Sequence, residues 1–141
     1  MLQRGEATVI NVAGMITFSG PAGPEQMPRP AVYTATLAHL VAWTQQLHAE
    51  LSAASAGINV QVVCPGVVAT EFHERQGLDL SAVARMSPGD VVAASLRWLE
   101  LGEIVCAPGV ERVDLLQSVF AADLAAFAGQ SPQLAQRYRT D

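Results

Sequence analysis

The sequence contains no lysine, and all eight of its basic residues are arginine. No lysine amine can therefore act in this chain as a Schiff-base former, a general base, a phosphate ligand or a cofactor anchor. Charge is scarce in general: Asp, Glu, Lys and Arg make up 15% of the residues, whereas typical domains have ~25%. Because half of the residues are hydrophobic, this composition excludes an intrinsically disordered chain.

A basic surface and long apolar runs are also missing. The formal net charge is −5 and the acidic residues are scattered, which argues against nucleic-acid and anionic-membrane partners. No apolar run approaches the ~18 residues of a membrane span, and the first ten residues lack the apolar core of a signal peptide. We therefore expect a cytoplasmic protein.

The chain has two cysteines, Cys64 and Cys106, and each stands shortly before a proline at the end of a strand-like run. This placement predicts buried thiols in a reducing compartment rather than a disulfide. A short chain so poor in charge has little polar surface to cover itself. Association with another copy, as a dimer or tetramer, is therefore the first expectation about partners.

Strand-like and helix-like segments alternate along the chain. The predicted strands are residues 8–12, 58–64 and 103–106, and the predicted helices are residues 31–54, 88–101, 111–128 and 132–138. Alternation of this kind predicts an α/β fold with a three-stranded parallel sheet, a partial Rossmann-like arrangement with flanking helices. We expect one domain over residues 1–141, with a core at 1–110 and a helical tail at 111–141.

The helix over residues 31–54 has the clearest pattern, because one set of side chains recurs at the 3–4 spacing of a buried face. The members of this set are Tyr33, Leu37, Leu40, Thr44, Leu47 and Leu51. By contrast, the Gly/Pro-rich segment 14–30 predicts a loop without regular structure.

Three segments carry a resemblance to a known family. In order along the chain they are INVAG at 10–14, VYTATLAHLVAW at 32–43 and VQVVCPGVVATEF at 60–72. They resemble the second half of a short-chain dehydrogenase/reductase: its fifth strand, its catalytic-tyrosine helix, and its sixth strand with a PGxxxT turn. The resemblance covers residues ~1–110. It implies a Rossmann-type fold, NAD(P)-dependent hydride transfer at a carbonyl, and oligomers built partly through the tyrosine helix.

The resemblance also shows where this sequence departs from the family. No Gly-rich GxxxGxG turn, which would cradle a pyrophosphate, follows a first strand, and we expect a truncated chain that lacks the N-terminal cofactor-binding half. Tyr33 matches the catalytic tyrosine, but Leu37 stands where the family has lysine. Gly14 stands where the family has the catalytic serine. Thr17 or Ser19 could replace that serine only if the following loop folds back. Asn11 does not replace the family's proton-relaying asparagine, which lies in the lacking half.

Two residues match the family's nicotinamide contacts. The backbone near Val68 and the hydroxyl of Thr70 correspond to groups that bind the carboxamide. With the departures above, we interpret them as a vestigial turn. We therefore expect no cofactor and an incomplete NAD(P) site.

The densest polar cluster is Glu71-Phe72-His73-Glu74. A histidine between carboxylates is suited to act as a general base or as a metal ligand, although a solvated turn explains the same residues. His39 and His48 are nine residues apart on a helix and point to opposite sides. Either could join a divalent metal site only across a symmetric interface. Neither an HExxH nor a CxxC motif supports such a site.

Three functional hypotheses stay open at the level of sequence. The first is a family fragment that has lost ordinary hydride transfer and self-associates. The second is a repurposed hydrolase that cleaves a small ester or phosphoester at an oligomer interface. Its catalytic residues would be His73, Glu71, Glu74 and Tyr33, with or without a divalent metal. The third is a residual reductase that needs a partner chain with the missing half.

Overall fold

The computed structural model describes residues 7–20, 31–55 and 57–139, and for Leu99 the backbone alone. The chain divides into two compact units, residues 1–109 and 110–141. In the first unit the elements are β1 (Ala7–Val12), a 3-10 helix (Met15–Phe18), α1 (Ala31–Ala53), β2 (Ile58–Val63), α2 (Phe72–Arg75), α3 (Pro88–Leu101) and β3 (Val105–Cys106). The second unit holds α4 (Val113–Ala128) and a short 3-10 helix (Gln136–Tyr138).

The three strands form one parallel sheet in the order β1-β2-β3. This confirms the α/β fold with a three-stranded parallel sheet. Strand β2 is central, and Val60, Gln61, Val62 and Val63 are all buried because helices cover both of its faces. Strand β1 lies at an edge of the sheet. Burial alternates along it, because α1 shelters the face that carries Asn11 and the opposite face is exposed.

Two polar pairs, one partly buried and one buried, attach helices to opposite faces of the sheet. On one face, the Asn11 amide donates to the Thr44 hydroxyl of α1 over 2.9 Å. On the other, the Ser95 hydroxyl of α3 donates to Gln61 Oε1 over 2.6 Å, and Gln61 Nε2 donates back to the Ser95 carbonyl over 3.3 Å. Each pair satisfies polar groups that would be costly to bury alone.

The predicted boundaries of α3 are confirmed. Ser87 caps the helix by accepting a hydrogen bond from the Asp90 N–H over 3.0 Å, and Pro88 occupies the first helical position. Gly102 ends the helix in the left-handed region with φ 70°. Trp98 of this helix packs against Val63 and Cys106 in the core.

Other sequence-based boundaries needed correction. Residues 15–18 form a 3-10 helix within the segment expected to be irregular, while residues 21–30 of that segment lie outside the described residues. The final helix is limited to one 3-10 turn at 136–138. On α1, Val41 is buried although it was not on the predicted face, and Tyr33 is 39% exposed although it was. The reason for the exposure of Tyr33 is a cleft beside the first turn of α1.

Candidate functional site

A cleft of about 220 Å³ opens where β1 and β2 end, which is where parallel α/β sheets place their binding sites. Its lining comes from three parts of the first unit: the turn after β1, the first turn of α1, and the segment from the end of β2 to α2. The lining residues are Gly14, Met15, Ile16, Tyr33, Pro65, Gly66, Val67 and His73.

Leu37 and Cys64 lie behind the cleft wall at Gly14 and are not lining residues themselves. We call Gly14, Leu37 and Cys64 the inner end, and backbone hydrogen bonds between neighbouring segments hold it. The N–H of Ala13 donates to the Val63 carbonyl over 2.8 Å, and the N–H of Met15 donates to the Pro65 carbonyl over 2.9 Å. These bonds continue the β1–β2 ladder past the strand ends. They fix the Gly14 backbone against β2.

Gly14 and Leu37 lie in direct contact. A Cβ atom added to Gly14 would stand 3.3 Å from Leu37 Cδ1 and 3.7 Å from the Pro65 carbonyl oxygen. The first distance is tighter than ordinary van der Waals contact, so any side chain at position 14 requires Leu37 to move. The two positions where the sequence departs from the family's serine and lysine are therefore neighbours in space.

Cys64 completes this inner end. Burial, and to a lesser degree the nearby Cys106, raise the pKa of its thiol from 9.0 to about 12, against a hydrogen bond from the Gly14 backbone that lowers it. Burial also raises the pKa of Cys106. Both cysteines are free and buried, as the sequence predicted. Cys106 pairs in register with Val63, the residue before Cys64, so the two thiols face opposite sides of the sheet.

The rim of the cleft, which we define as Tyr33, Phe72 and His73, is aromatic. The Tyr33 and Phe72 rings stack with centroids 6.2 Å apart, and the Phe72 and His73 rings meet edge to face at 5.2 Å. Within the described part of the chain, the Tyr33 hydroxyl and the His73 imidazole make no hydrogen bond. Both polar groups therefore remain available to a ligand.

The remaining residues of the predicted polar cluster lie outside the cleft lining. Glu71 pairs with Arg75 over 2.5 Å, and both side chains are about three-quarters exposed. Glu74 is exposed as well. Of the four predicted catalytic residues, the structure thus brings together Tyr33 and His73, and it leaves the two carboxylates outside.

The residues proposed to match the nicotinamide contacts also lie beside the cleft rather than on its wall. Val68 forms an isolated parallel bridge with Met86. The exposed Thr70 hydroxyl accepts a hydrogen bond from the Phe72 N–H over 3.3 Å. Val67 lines the cleft instead.

Neither hydroxyl of the 3-10 helix takes the place of the family's serine. Ser19 Oγ donates to the Ile16 carbonyl over 2.8 Å. Thr17 Oγ1 is buried, has no hydrogen-bond partner, and is not part of the cleft lining. Within residues 7–20, no hydroxyl group therefore provides a polar side chain at the inner end.

The histidines outside the cleft do not gather into a metal site. His39 is exposed on α1, and His48 lies 3.4 Å from the Ser52 hydroxyl one turn along the same helix. Across residues 7–20, 31–55 and 57–139, no three His, Cys, Asp or Glu side chains come close enough together to hold a metal ion. In those same ranges, no helix is long and apolar enough to span a membrane.

Comparisons with known proteins agree with this geometry. A model of the short chain dehydrogenase family matches residues 1–80, so the chain belongs to the short-chain dehydrogenase family. It is 35% identical over 68 residues to the ketoacyl reductase HetN of Nostoc sp.. It is 38% identical over 82 residues to the inactive 2-(S)-hydroxypropyl-CoM dehydrogenase 2 of Xanthobacter autotrophicus. These matches cover 48% and 58% of this chain, but only 21% and 32% of the relatives.

Solved structures extend the likeness over nearly the whole chain. A short-chain dehydrogenase from Sphingobium yanoikuyae, in complex with NADPH, aligns with a TM-score of 0.84 at 27% identity, covering 98% of this chain and 52% of that one. A bulky-bulky ketone specific alcohol dehydrogenase from Comamonas testosteroni aligns with a TM-score of 0.78 at 22% identity, covering 99% and 49%. The second match shows the fold alone. The chain thus spans about half the length of these proteins.

Proposed function

We propose that this chain is a short-chain dehydrogenase-type module that binds a small molecule but does not carry out NAD(P)-dependent hydride transfer. The observation that supports this most directly is the contact between Leu37 and Gly14. A Cβ atom added to Gly14 would stand 3.3 Å from Leu37 Cδ1. An apolar contact fills the place where the resemblance expects a lysine and a serine to act on the tyrosine.

The chemical reason concerns Tyr33. A tyrosine that exchanges protons with an alcohol or a carbonyl needs stabilisation of its anion, which a neighbouring cation provides. Leu37, one turn along α1, supplies no charge, and no arginine is among the residues that line the cleft. Gly14 offers no hydroxyl to hold the carbonyl oxygen. A nucleotide-binding half, wherever it came from, would not restore these two groups.

The residues beside the cleft also fit a nicotinamide ring poorly. Thr70, whose hydroxyl corresponds to the family's carboxamide contact, accepts from the Phe72 N–H and lies outside the lining. With no lysine at position 37, nothing on this part of α1 holds the nicotinamide ribose. We therefore propose that the chain works without NAD(P).

Hydride transfer can be tested directly. Purified protein is incubated with NADH or NADPH and a panel of small aldehydes and ketones, and cofactor oxidation is followed by absorbance. We expect no rate above that of the Tyr33→Phe variant. Cofactor oxidation by the unaltered protein that Tyr33→Phe removes would contradict the proposal. A titration with NADH, followed by its fluorescence, tests the alternative of a residual reductase. The absence of saturable binding would exclude that alternative.

We also propose that the chain self-associates through β1. Ile10 and Val12 are 41% and 63% exposed. In register they pair with Gln61 and Val63, so they share the sheet face that α3 covers farther along. Strand β1 also pairs with no other described strand on its outer side. An apolar edge of this kind favours association with another strand.

Light scattering at micromolar concentration tests the association. We expect a mass of at least two chains, and we expect Val12→Lys to shift the protein toward the monomer because a charge on an edge strand opposes pairing. Gln117→Lys, on an exposed part of α4, is the matched control for added charge. A compact monomer at micromolar concentration for the unaltered protein would refute the association.

A second candidate function is hydrolysis of a small ester or phosphoester. It is favoured by one observation, the presence of His73 and Tyr33 on the same cleft. His73 would act as general base on a water molecule, with or without a metal ion. Activity toward a chromogenic ester that disappears in His73→Ala would support this candidate. Sensitivity of that activity to a chelator would decide whether a metal takes part.

A further inference from the structure

The outer edge of β1 presents unpaired backbone groups. The N–H of Ala13 donates to the Val63 carbonyl over 2.8 Å, and this bond continues the ladder between β1 and β2. Because the backbone groups of alternate residues in a parallel pair point to the same side, the odd-numbered residues of β1 face β2. The N–H and C=O groups of Thr8, Ile10 and Val12 therefore point outward, where β1 pairs with no other described strand.

No feature of β1 blocks the addition of a strand at this edge. Natural edge strands are often protected by charged side chains, by proline or by a bulge. Residues 7–12 carry neither a charge nor a proline, and their pairing with β2 is unbroken from Ala7 to Val12, which excludes a bulge. The edge is therefore a regular template of six residues, about 20 Å long.

A second copy of the same strand fits this edge better than the other edge of the sheet does. The opposite edge is β3, which has two residues, Val105 and Cys106, so head-to-tail pairing of β1 with β3 of another copy would leave most of β1 unpaired. Pairing of β1 with β1 of a second copy uses the full strand. A two-fold axis relates the copies in such an isologous contact. Because the axis reverses the direction of the strand, the pair is antiparallel.

The outward groups also fix the register of this pair. Ile10 is the middle one of the three residues that point outward, so a two-fold axis there places Ile10 opposite Ile10 of the second copy and Thr8 opposite Val12. Directly opposed residues of this kind exchange both N–H···O bonds, so every outward group of the three residues finds a partner. The opposed side chains on the exposed face are then β-branched pairs, which stabilise sheets.

The helix that covers the other face of β1 has an exposed flank at the same edge. Thr44 of α1 is bonded to Asn11 of β1 over 2.9 Å, and Val41 and Trp43 lie on opposite sides of Thr44 around the helix. Val41 is buried, whereas Trp43 is 45% exposed. Because α1 also contacts β2, β2 shelters the flank of Val41, and Trp43 lies on the flank above the open edge.

Two-fold pairing brings the two copies of α1 to the spacing of packed helices. Neighbouring strands are about 4.8 Å apart, and α1, which contacts both β1 and β2, lies about one strand spacing from an axis between two β1 strands. The helix axes are then about 10 Å apart, and packed helices are about 8–10 Å apart. We propose that a second copy of this chain pairs with β1 in an antiparallel register centred on Ile10, with the two α1 helices packed side by side through Trp43.

This arrangement rests on the proposed self-association and deepens it, and disulfide crosslinking tests it separately. Cys64 and Cys106 are buried, so an introduced surface cysteine is the accessible thiol. Ile10→Cys should crosslink to itself under mild oxidation, since opposed residues have Cα atoms about 5.5 Å apart and disulfides span about 4.4–6.8 Å. Thr8→Cys and Val12→Cys, each about 13 Å along the strand from its own copy, should not crosslink alone. The two variants should crosslink when they are mixed.

The control for crosslinking is Val92→Cys on α3. Val92 is 57% exposed, close to the 63% of Val12, but it does not lie on the paired edge. We expect its yield of covalent dimer to be less than about a tenth of that of Ile10→Cys.

Trp43→Ala tests the contact between the helices. Light scattering over a concentration series should show a dissociation constant of the dimer raised at least about tenfold, because an aromatic side chain at the centre of an interface is removed. Leu124→Ala, which shortens a side chain of α4 that is 66% exposed, is the matched control and should leave the dissociation constant unchanged.

Light scattering and crosslinking fail independently. The mass of a single chain at micromolar concentration would refute the self-association itself. For a protein that does associate, crosslinking of Thr8→Cys or Val12→Cys alone would indicate parallel pairing and would overturn the antiparallel arrangement. Equal yields of covalent dimer for Ile10→Cys and Val92→Cys, or an unchanged dissociation constant for Trp43→Ala, would overturn it as well.

Discussion

The inner end of the cleft and its rim rest on different supports. The inner end, Gly14, Leu37 and Cys64, is fixed by the extended β1–β2 ladder and by contacts with buried β2. The rim, Tyr33, Phe72 and His73, is joined by ring contacts, and Phe72 is 45% exposed. The inner end holds no polar side chain except a buried thiol, while the rim carries the two polar groups available to a ligand. The inner end is therefore the rigidly packed region, and the rim is the region that can form hydrogen bonds with a ligand.

The largest effect is expected at the inner end, where ionisation of the Cys64 thiol should lower the unfolding free energy. Its folded-state pKa, about 12, lies above the ordinary value of 9.0, so the unfolded chain loses this proton first as the pH rises. The stability that the neutral thiol contributes is complete below about pH 9 and is lost as the pH rises toward 12. We expect a loss on the order of 2–3 kcal/mol by about pH 11. Urea unfolding across this range measures it.

The control for this prediction is a pair of variants. Cys64→Ala should reduce the pH dependence of the unfolding free energy between pH 9 and 11, leaving the part that comes from the raised pKa of Cys106. Cys106→Ala should leave the larger part of it, because the first cause of the Cys64 shift is burial rather than its neighbour. The same slope in all three proteins would show that the inner end is less buried than the structure indicates.

The next effect concerns the attachment of α3 to β2, the strand that leads into the inner end. Gln61→Met removes both hydrogen bonds to Ser95 and leaves a buried hydroxyl without its acceptor. We expect the unfolding free energy to fall by about 1–3 kcal/mol. Adding Ser95→Ala should recover part of that loss, because it removes the unsatisfied hydroxyl. A double-mutant cycle by urea unfolding checks this, and strictly additive effects would contradict the coupling.

A smaller effect is expected at the rim. Phe72→Ala removes the ring stacked on Tyr33 and should lower the unfolding free energy by about 0.5–1.5 kcal/mol. Because Phe72 is 45% exposed, little core packing is lost. Thermal unfolding measures the effect. The control is Phe127→Ala, which removes a phenylalanine that is 73% exposed. An equal loss of unfolding free energy in this control would show that the contact between Phe72 and Tyr33 does not stabilise the protein.

The smallest effect is expected for the ion pair beside the rim. Glu71→Gln breaks the pair with Arg75 on α2, and the exposed charges are screened by water and salt. We expect no measurable change in stability beyond that of Glu74→Gln, which alters an exposed carboxylate that forms no ion pair with the described residues. A clear loss of stability for Glu71→Gln alone would show that the rim depends on this pair.

The sequence predicted the elements that follow from local patterns. Ser87 and Pro88 at the start of α3 and Gly102 after its end are signals with a local physical cause, and the structure confirms both boundaries. The valine-rich run at residues 58–64 predicted a strand, which the structure confirms as β2. The burial of both cysteines was also predicted, because each ends such a strand.

Tyr33 and Val41 show where local patterns were insufficient. Tyr33 has the spacing of the buried face of α1, yet it is 39% exposed because the cleft opens beside the first turn of the helix. Val41 is buried although the pattern omitted it. Helical periodicity gives the direction of a side chain, but the neighbouring segments decide what it meets there.

The sequence by itself determined the parallel α/β fold, the family, and the absence of a lysine and a serine where the family has them. Only the tertiary structure decided that these two positions touch, at 3.3 Å from Leu37 Cδ1 to the Cβ position of Gly14. It also decided that His73, and not Glu71 or Glu74, shares the cleft with Tyr33. The physical reason is that residue types and periodicities are local, whereas a cleft is formed by segments that meet only after the sheet has paired.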